Sequence, residues 1–197
     1  MENVLKILAD GYKKAIAEAF SKEKALLEKG DKLTVEKMEQ ALYEYLNFYQ
    51  TEKNNIIDSW ANTPILELQG KTPSDIINGM DNIDDVYNAF LYMSENTDEE
   101  IPDLLIKKMR QYGADMSEKL INLAKISADK NENEHIFAET VYALGRMGLS
   151  VSVEPLINLF YDFCEDTNKS EYLEDALKRI GEAAIEPLLA DLEKKEF

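Results

Sequence analysis

Apolar residues recur at steps of three and four along the first part of the chain, at Val4, Leu5, Leu8, Tyr12, Ile16, Ala19, Phe20, Leu26 and Leu27. That spacing predicts one long helix over 2–29 with a single apolar face. Gly30-Asp31 breaks the pattern, and Thr34 offers an N-cap with Leu33 and Met38 placed as a hydrophobic staple across it. A second series, Met38, Leu42, Tyr45, Tyr49, Ile56 and Trp60, predicts another long helix reaching the high fifties. Two such helices joined by a short turn make an antiparallel hairpin over 1–60.

The pattern then changes. Residues 60–73 hold Pro64, Gly70 and Pro73, the mark of an ordered loop that is extended before each proline. Thr72-Pro73-Ser74-Asp75 reads as a helix start, with a Thr cap, Pro at the first helical position and an acid in the first turn. A short helix to about Asn78 and another over Asp84–Met93 complete a connector over 61–100. Gly70-Lys71-Thr72 is not a phosphate loop, because Ile65 stands where the first glycine is required; a helix-capping turn accounts for it. Trp60 is expected to pin this loop to the helices rather than to stack on a ligand.

From Ile101 onward the chain repeats itself. Gln111-Tyr112-Gly113 leads to Lys119-Leu120-Ile121-Asn122-Leu123, Arg146-Met147-Gly148 to Pro155-Leu156-Ile157-Asn158-Leu159, and Arg179-Ile180-Gly181 to Pro187-Leu188-Leu189-Ala190. The glycines lie 35 and 33 residues apart, a period that predicts a helical solenoid with two helices per unit. Each glycine can take the left-handed conformation that ends a first helix, and each proline fits the first turn of the second.

Thr140-Val141-Tyr142-Ala143-Leu144-Gly145-Arg146-Met147-Gly148 with Val153-Glu154-Pro155-Leu156-Ile157, and Ala176-Leu177-Lys178-Arg179-Ile180-Gly181 with Ala184-Ile185-Glu186-Pro187-Leu188-Leu189, resemble the HEAT repeat family. The likeness is to the short HEAT-like repeats named after phycobilisome lyases. It covers about residues 101–197, and the first copy departs from it with Lys119 in place of the proline. The resemblance implies a short HEAT-like α-solenoid of about three helix pairs, which with the hairpin over 1–60 gives an all-α fold: a helical hairpin followed by that solenoid. It implies binding more than catalysis, since solenoids mostly serve as binding surfaces.

Charge adds to this picture. The 197 residues include 39 acidic against 22 basic ones, a formal net charge of −17. Nucleic acid and anionic lipid are poor partners for such a polyanion. The 45% apolar fraction is that of a folded chain. Met1–Lys6 lacks the pattern of a secretory leader, no apolar run is long enough to span a bilayer, and Cys164 is the sole cysteine, so a cytoplasmic setting is expected.

Aligned on the glycines, Glu118, Glu154 and Glu186 occupy one equivalent position, and Asn122 and Asn158 follow one turn later. They form either an acidic ridge for a basic peptide, a protein or a cation, or acids placed near helix N-termini, where the backbone dipole favours each by about 0.3–1 kcal/mol. His135 is the sole histidine and is expected on the surface without a special role. HEAT enzymes of the deoxyhypusine hydroxylase type use several His-Glu pairs, which this chain lacks. HEAT-like DNA glycosylases use a cationic groove, where this chain places glutamates. Cys164 is expected to be a small buried hydrophobe rather than a nucleophile. The clusters Asp81-Asp84-Asp85 and Asp98-Glu99-Glu100-Asp103 lack calcium-loop spacing and are expected to start helices. Rings at Tyr43, Tyr45, Phe48 and Tyr49 fall on more than one face, with core packing expected for some of them.

The sequence thus predicts a non-catalytic protein–protein interaction scaffold or adaptor with an acidic solenoid surface. Its expected partner is another protein, a basic one among the candidates, and neither nucleic acid nor membrane. The alternative is an enzyme or accessory of the lyase-related HEAT-like class, with a small ligand in the concave face. No catalytic residue, cofactor or metal is expected.

Overall fold

The computed structural model describes residues 1–30, 35–97, 100–128 and 134–194, with side chains except at 23–30, 35–40, 49–50 and 194. The regular elements of these residues are helical, and no strand occurs among them beyond a single bridge between Ile65 and Lys71. No helix among them is long and apolar enough to cross a membrane. The chain divides into two compact units, Met1–Gly79 and Met80–Phe197. Residues 61–79 of the expected connector therefore fall in the first unit, and residues 80–100 in the second.

The first unit holds α1 (Glu2–Gly30), α2 (Val35–Asn47), α3 (Lys53–Asn62) and α4 (Pro73–Asn78), with α1 packed against both α2 and α3. Leu5, Leu8, Tyr12, Ile16 and Ala19 are buried along one face of α1, as their spacing predicts. The expected cap at Thr34 with its Leu33–Met38 staple lies outside the described residues, as do the Leu26 and Leu27 side chains.

The second helical series carries a correction. A π turn over Phe48–Glu52 joins α2 to α3, and its extra residue rotates everything that follows relative to α2. Leu42, in α2 ahead of this turn, is exposed, as is Phe20 of the first series, whereas Trp60 beyond the turn is buried as its spacing predicts. Phe48 is fully buried, in line with the core packing expected for some of the rings.

Trp60 closes this unit from α3. Its ring lies 5.0 Å from that of Tyr12, and Gly11 makes room for it, because a Cβ there would sit 3.0 Å from the indole Nε1. Beyond it, Gln69 and Gly70 take left-handed conformations and turn the chain back toward α4. Thr72 caps α4 as predicted: its hydroxyl accepts from the Asp75 N–H at 3.0 Å while Asp75 accepts from the Thr72 N–H at 2.9 Å. The Thr72 N–H, with a further side-chain hydrogen bond from Thr72, holds the Asp75 carboxyl below the usual carboxylate range.

The second unit holds α5 (Ile83–Asn96), α6 (Asp103–Arg110), α7 (Gly113–Ala128), α8 (Glu134–Met147), α9 (Val153–Asp162), α10 (Thr167–Ile180) and α11 (Ile185–Lys194). Helices α6, α8 and α10 pack in succession, and so do α5, α7, α9 and α11. Cross-contacts of α7 with α8 and of α9 with α10 join the two series. Leu105, Met109, Met116, Leu120, Phe137, Val141, Leu144, Leu156 and Leu173 are completely buried between them. Gly113, Gly148 and Gly181 have positive φ of 54°, 62° and 73°, the glycine-favouring breaks expected at the repeat positions, although ψ of −132° sets Gly181 apart from the left-handed helical cap. Pro155 and Pro187 lie in the first turns of α9 and α11, where no intrahelical N–H is needed.

Candidate partner-binding groove

Helices α7 and α9 lie side by side, and their junction is pinned from below. The Ser152 hydroxyl, in the 3₁₀ turn that precedes α9, donates to the Ser117 hydroxyl of α7 at 3.0 Å, both residues buried. A buried hydroxyl pair satisfies both groups and fixes how far apart the two helices stand. Above it runs a groove of about 370 Å³ lined by Glu118, Asn122 and Lys125 of α7 and by Pro155 and Asn158 of α9.

Three of the five sequence-predicted site residues thus share one groove. Glu118, Asn122 and Asn158 are exposed, and among the described residues none of them has a side-chain partner. The neighbouring cation Lys119 is committed elsewhere, bonded to Asp84 at 2.9 Å and lying 5.4 Å from the centre of the Tyr87 ring. Its pairing with Asp84 raises the Lys119 ammonium above its ordinary value. Among the described residues Glu118 therefore faces the groove without a cation of its own, and Lys125, the one cation they place on its lining, stands further along α7.

Glu154 and Glu186 are exposed and are not among the residues that line this groove. Each is the second residue of its helix, whereas Glu118 is the sixth residue of α7. The offset has a local cause. Short 3₁₀ turns over Ser150–Ser152 and Gly181–Ala184 separate the glycine from α9 and α11, while α7 begins at its glycine. The dipole explanation for the acids therefore applies to Glu154 and Glu186 in their first turns and not to Glu118, which lies beyond that reach.

The other candidates are engaged in structure. The His135 Nε2 lies 3.2 Å from the Thr97 carbonyl, and Glu134 accepts from Asn168 at 2.9 Å. Asn82 caps α5 by accepting from the Asp85 N–H at 2.8 Å, and Asp103 pairs with Arg146. Asp98 and Glu99 lie outside the described residues. Cys164 is exposed, contrary to the burial expected for it: α9 ends at Asp162, so Cys164 falls in the turn beyond and leaves the core face. Among the described residues no three His, Cys, Asp or Glu side chains converge as a metal site would require.

The chain matches no family model, no curated protein and no solved structure.

Sequence reasoning missed two further features. A groove of about 600 Å³ in the first unit runs between α1 and α3, with Lys14, Glu18, Glu52 and Ser59 on its walls. A larger one, about 780 Å³, lies among α9, α10 and α11 in the second unit. The signal for the latter in the sequence is Ile185, Leu188, Leu189 and Leu192, apolar residues at helical spacing.

Proposed function

We propose that the protein is a non-catalytic scaffold that holds a basic segment of a partner protein in the groove between α7 and α9. One observation carries this reading: Glu118, Asn122 and Asn158, from two successive helices and without partners of their own, line the same groove. A carboxylate pairs with Lys or Arg, and each carboxamide can donate to and accept from a peptide backbone. Lys125 sets the polarity of the site, so the partner's cation belongs at the Glu118 end. The second unit contains 26 acidic and 12 basic residues, a net charge of −14 against −17 for the whole chain. That field speeds encounter with a basic partner and makes binding sensitive to salt.

The same reading takes the second unit as a short HEAT-like solenoid. Its support is the glycine spacing of 35 and 33 residues, the positive φ at each glycine, and the stacking of each helix on its counterpart one repeat away. An exposed, unpaired Cys164 fits a reducing compartment.

The test is anisotropy titration of a fluorescent Arg/Gly/Ser decapeptide against the full chain. Glu118→Lys should weaken binding about tenfold, and Asn122→Ala with Asn158→Ala by a similar factor, each consistent with the loss of one or two charge-assisted or amide hydrogen bonds. Glu154→Lys and Glu186→Lys should each cost less than about threefold, through the long-range field alone. Equal loss from all three glutamates would reduce the effect to net charge and remove the groove from the account.

A further inference from the structure

The last described helix of the second unit leaves an apolar stripe uncovered. On α11, Ile185, Leu188, Leu189 and Leu192 fall within an arc of roughly 100° at helical spacing. Ile185, Leu189 and Leu192 are 52%, 52% and 51% exposed. The stripe adjoins the groove of about 780 Å³, whose apolar walls come from Ile157 and Phe160 of α9, Leu177 of α10 and Ile185 and Leu188 of α11. Helices α7 and α9 each pack against a following helix, α8 and α10; among the described residues α11 has no such successor.

The charge around this groove decides what fits it. Glu174 and Glu182 stand on its rim, and Lys178, the one cation among its described lining residues, is bound to Glu174 at 3.2 Å and to Asp175 at 3.6 Å. Those pairings raise the Lys178 ammonium above its ordinary value. Arg179 is turned away toward α8, where its guanidinium lies 4.1 Å from the centre of the Tyr142 ring. Glu182 and the exposed Glu186 are left without a cation among the described residues. A second copy of the chain would bring the same acids face to face in a unit of net charge −14.

We propose that this groove docks an amphipathic helix from a partner protein, its apolar face against the α11 stripe and its edges carrying Lys or Arg opposite the acidic rim, at Glu182 above all since Glu174 already shares Lys178. Helix-in-groove recognition needs an apolar channel bounded by the opposite charge, and both are present. The surface is separate from the α7–α9 groove, and neither proposal depends on the other.

Three labelled peptides of about 18 residues, long enough to form a helix on binding, provide the probe. One is a Leu/Lys sequence with leucines at helical spacing, one the same composition scrambled, and one the Leu/Glu counterpart of the first. The amphipathic Leu/Lys peptide should bind the full chain at least about tenfold more tightly than either control. Ile185→Lys with Leu189→Lys, both at half-exposed positions, should remove that preference. Glu174→Lys with Glu182→Lys, which leaves the apolar core intact, should weaken the same peptide and flatten its salt dependence. Glu118→Lys should change it by less than about twofold, which separates this site from the other. Equal binding of the scrambled peptide overturns the proposal. So does undiminished binding by the Glu174/Glu182 variant, or by an Ile185/Leu189 variant whose melting curve matches wild type. A wild-type dimer in sedimentation equilibrium that dissolves on Leu189→Lys would assign the stripe to a second copy instead.

Discussion

Gly145→Ala isolates the contact on which the packing of the second unit turns. Gly145 lies inside α8, and a Cβ added there would meet the Ala176 Cα of α10 at 2.8 Å, its carbonyl oxygen at 3.1 Å and its Cβ at 3.2 Å. Ordinary carbon–carbon contact is about 3.5–4.0 Å, so α8 and α10 must separate by about 0.7 Å or more. Two of the three obstructing atoms are backbone, and no rotamer change relieves them. Separation also loosens Val141, Leu144 and Leu173, all fully buried in the unit's core. Overpacking of this kind costs about 1–3 kcal/mol, and the backbone obstruction places this site at the upper end. Alanine's better helix propensity returns about 1 kcal/mol. A net loss of about 2 kcal/mol corresponds to a melting temperature lowered by roughly 5–8 °C, read by circular dichroism. An unchanged or raised melting temperature would refute the close α8–α10 approach, because an unobstructed Gly→Ala change in a helix stabilises.

Thr72→Ala removes the cap of α4 and should cost about 1 kcal/mol in urea unfolding, whereas Thr72→Ser should restore most of it. Trp60→Ala opens a cavity against Tyr12 and should cost about 3–5 kcal/mol. Trp60→Phe should cost far less, because the indole N–H it deletes is buried with no hydrogen-bond partner among the described residues. Burial raises the Glu139 carboxyl above its ordinary value, opposed by His135, the Ile101 N–H and Arg146. A carboxyl raised on folding contributes stability below its unfolded pKa and loses it as pH rises through the folded one. Glu139→Gln should therefore be more stable than wild type at pH 7, with the difference shrinking as pH falls through the carboxylate range; a constant difference would count against a titrating Glu139.

What the sequence disclosed follows from what is local. Gly113, Gly148 and Gly181 were legible because a glycine at positive φ ends a helix wherever it stands, and Thr72-Pro73 because a cap acts on its own first turn. Leu42 and Phe20 were misjudged because an apolar residue at helical spacing reads as core whether or not a neighbour covers it. Cys164 was misjudged for a related reason, since α9 stops two residues before it. The glutamates align by sequence, yet of the three only Glu118 is among the residues lining the α7–α9 groove, which no count from the glycines foretells. That Asn122 and Asn158 face one channel depends on how α7 meets α9, including the Ser117–Ser152 hydrogen bond, and no spacing rule carries that. The groove beside α11 was hidden by the same ambiguity, as an apolar stripe reads alike whether it is covered or waiting for a partner.

The central claim, that a basic segment lies between α7 and α9, is tested most directly by the side-chain amide resonances of Asn122 and Asn158. Titration of the labelled full chain with the Arg/Gly/Ser decapeptide should shift both NH₂ pairs along one saturating curve, together with the backbone amide of Glu118. Shifts confined to other surfaces, or Asn122 and Asn158 resonances that stay fixed while the peptide binds, would contradict it.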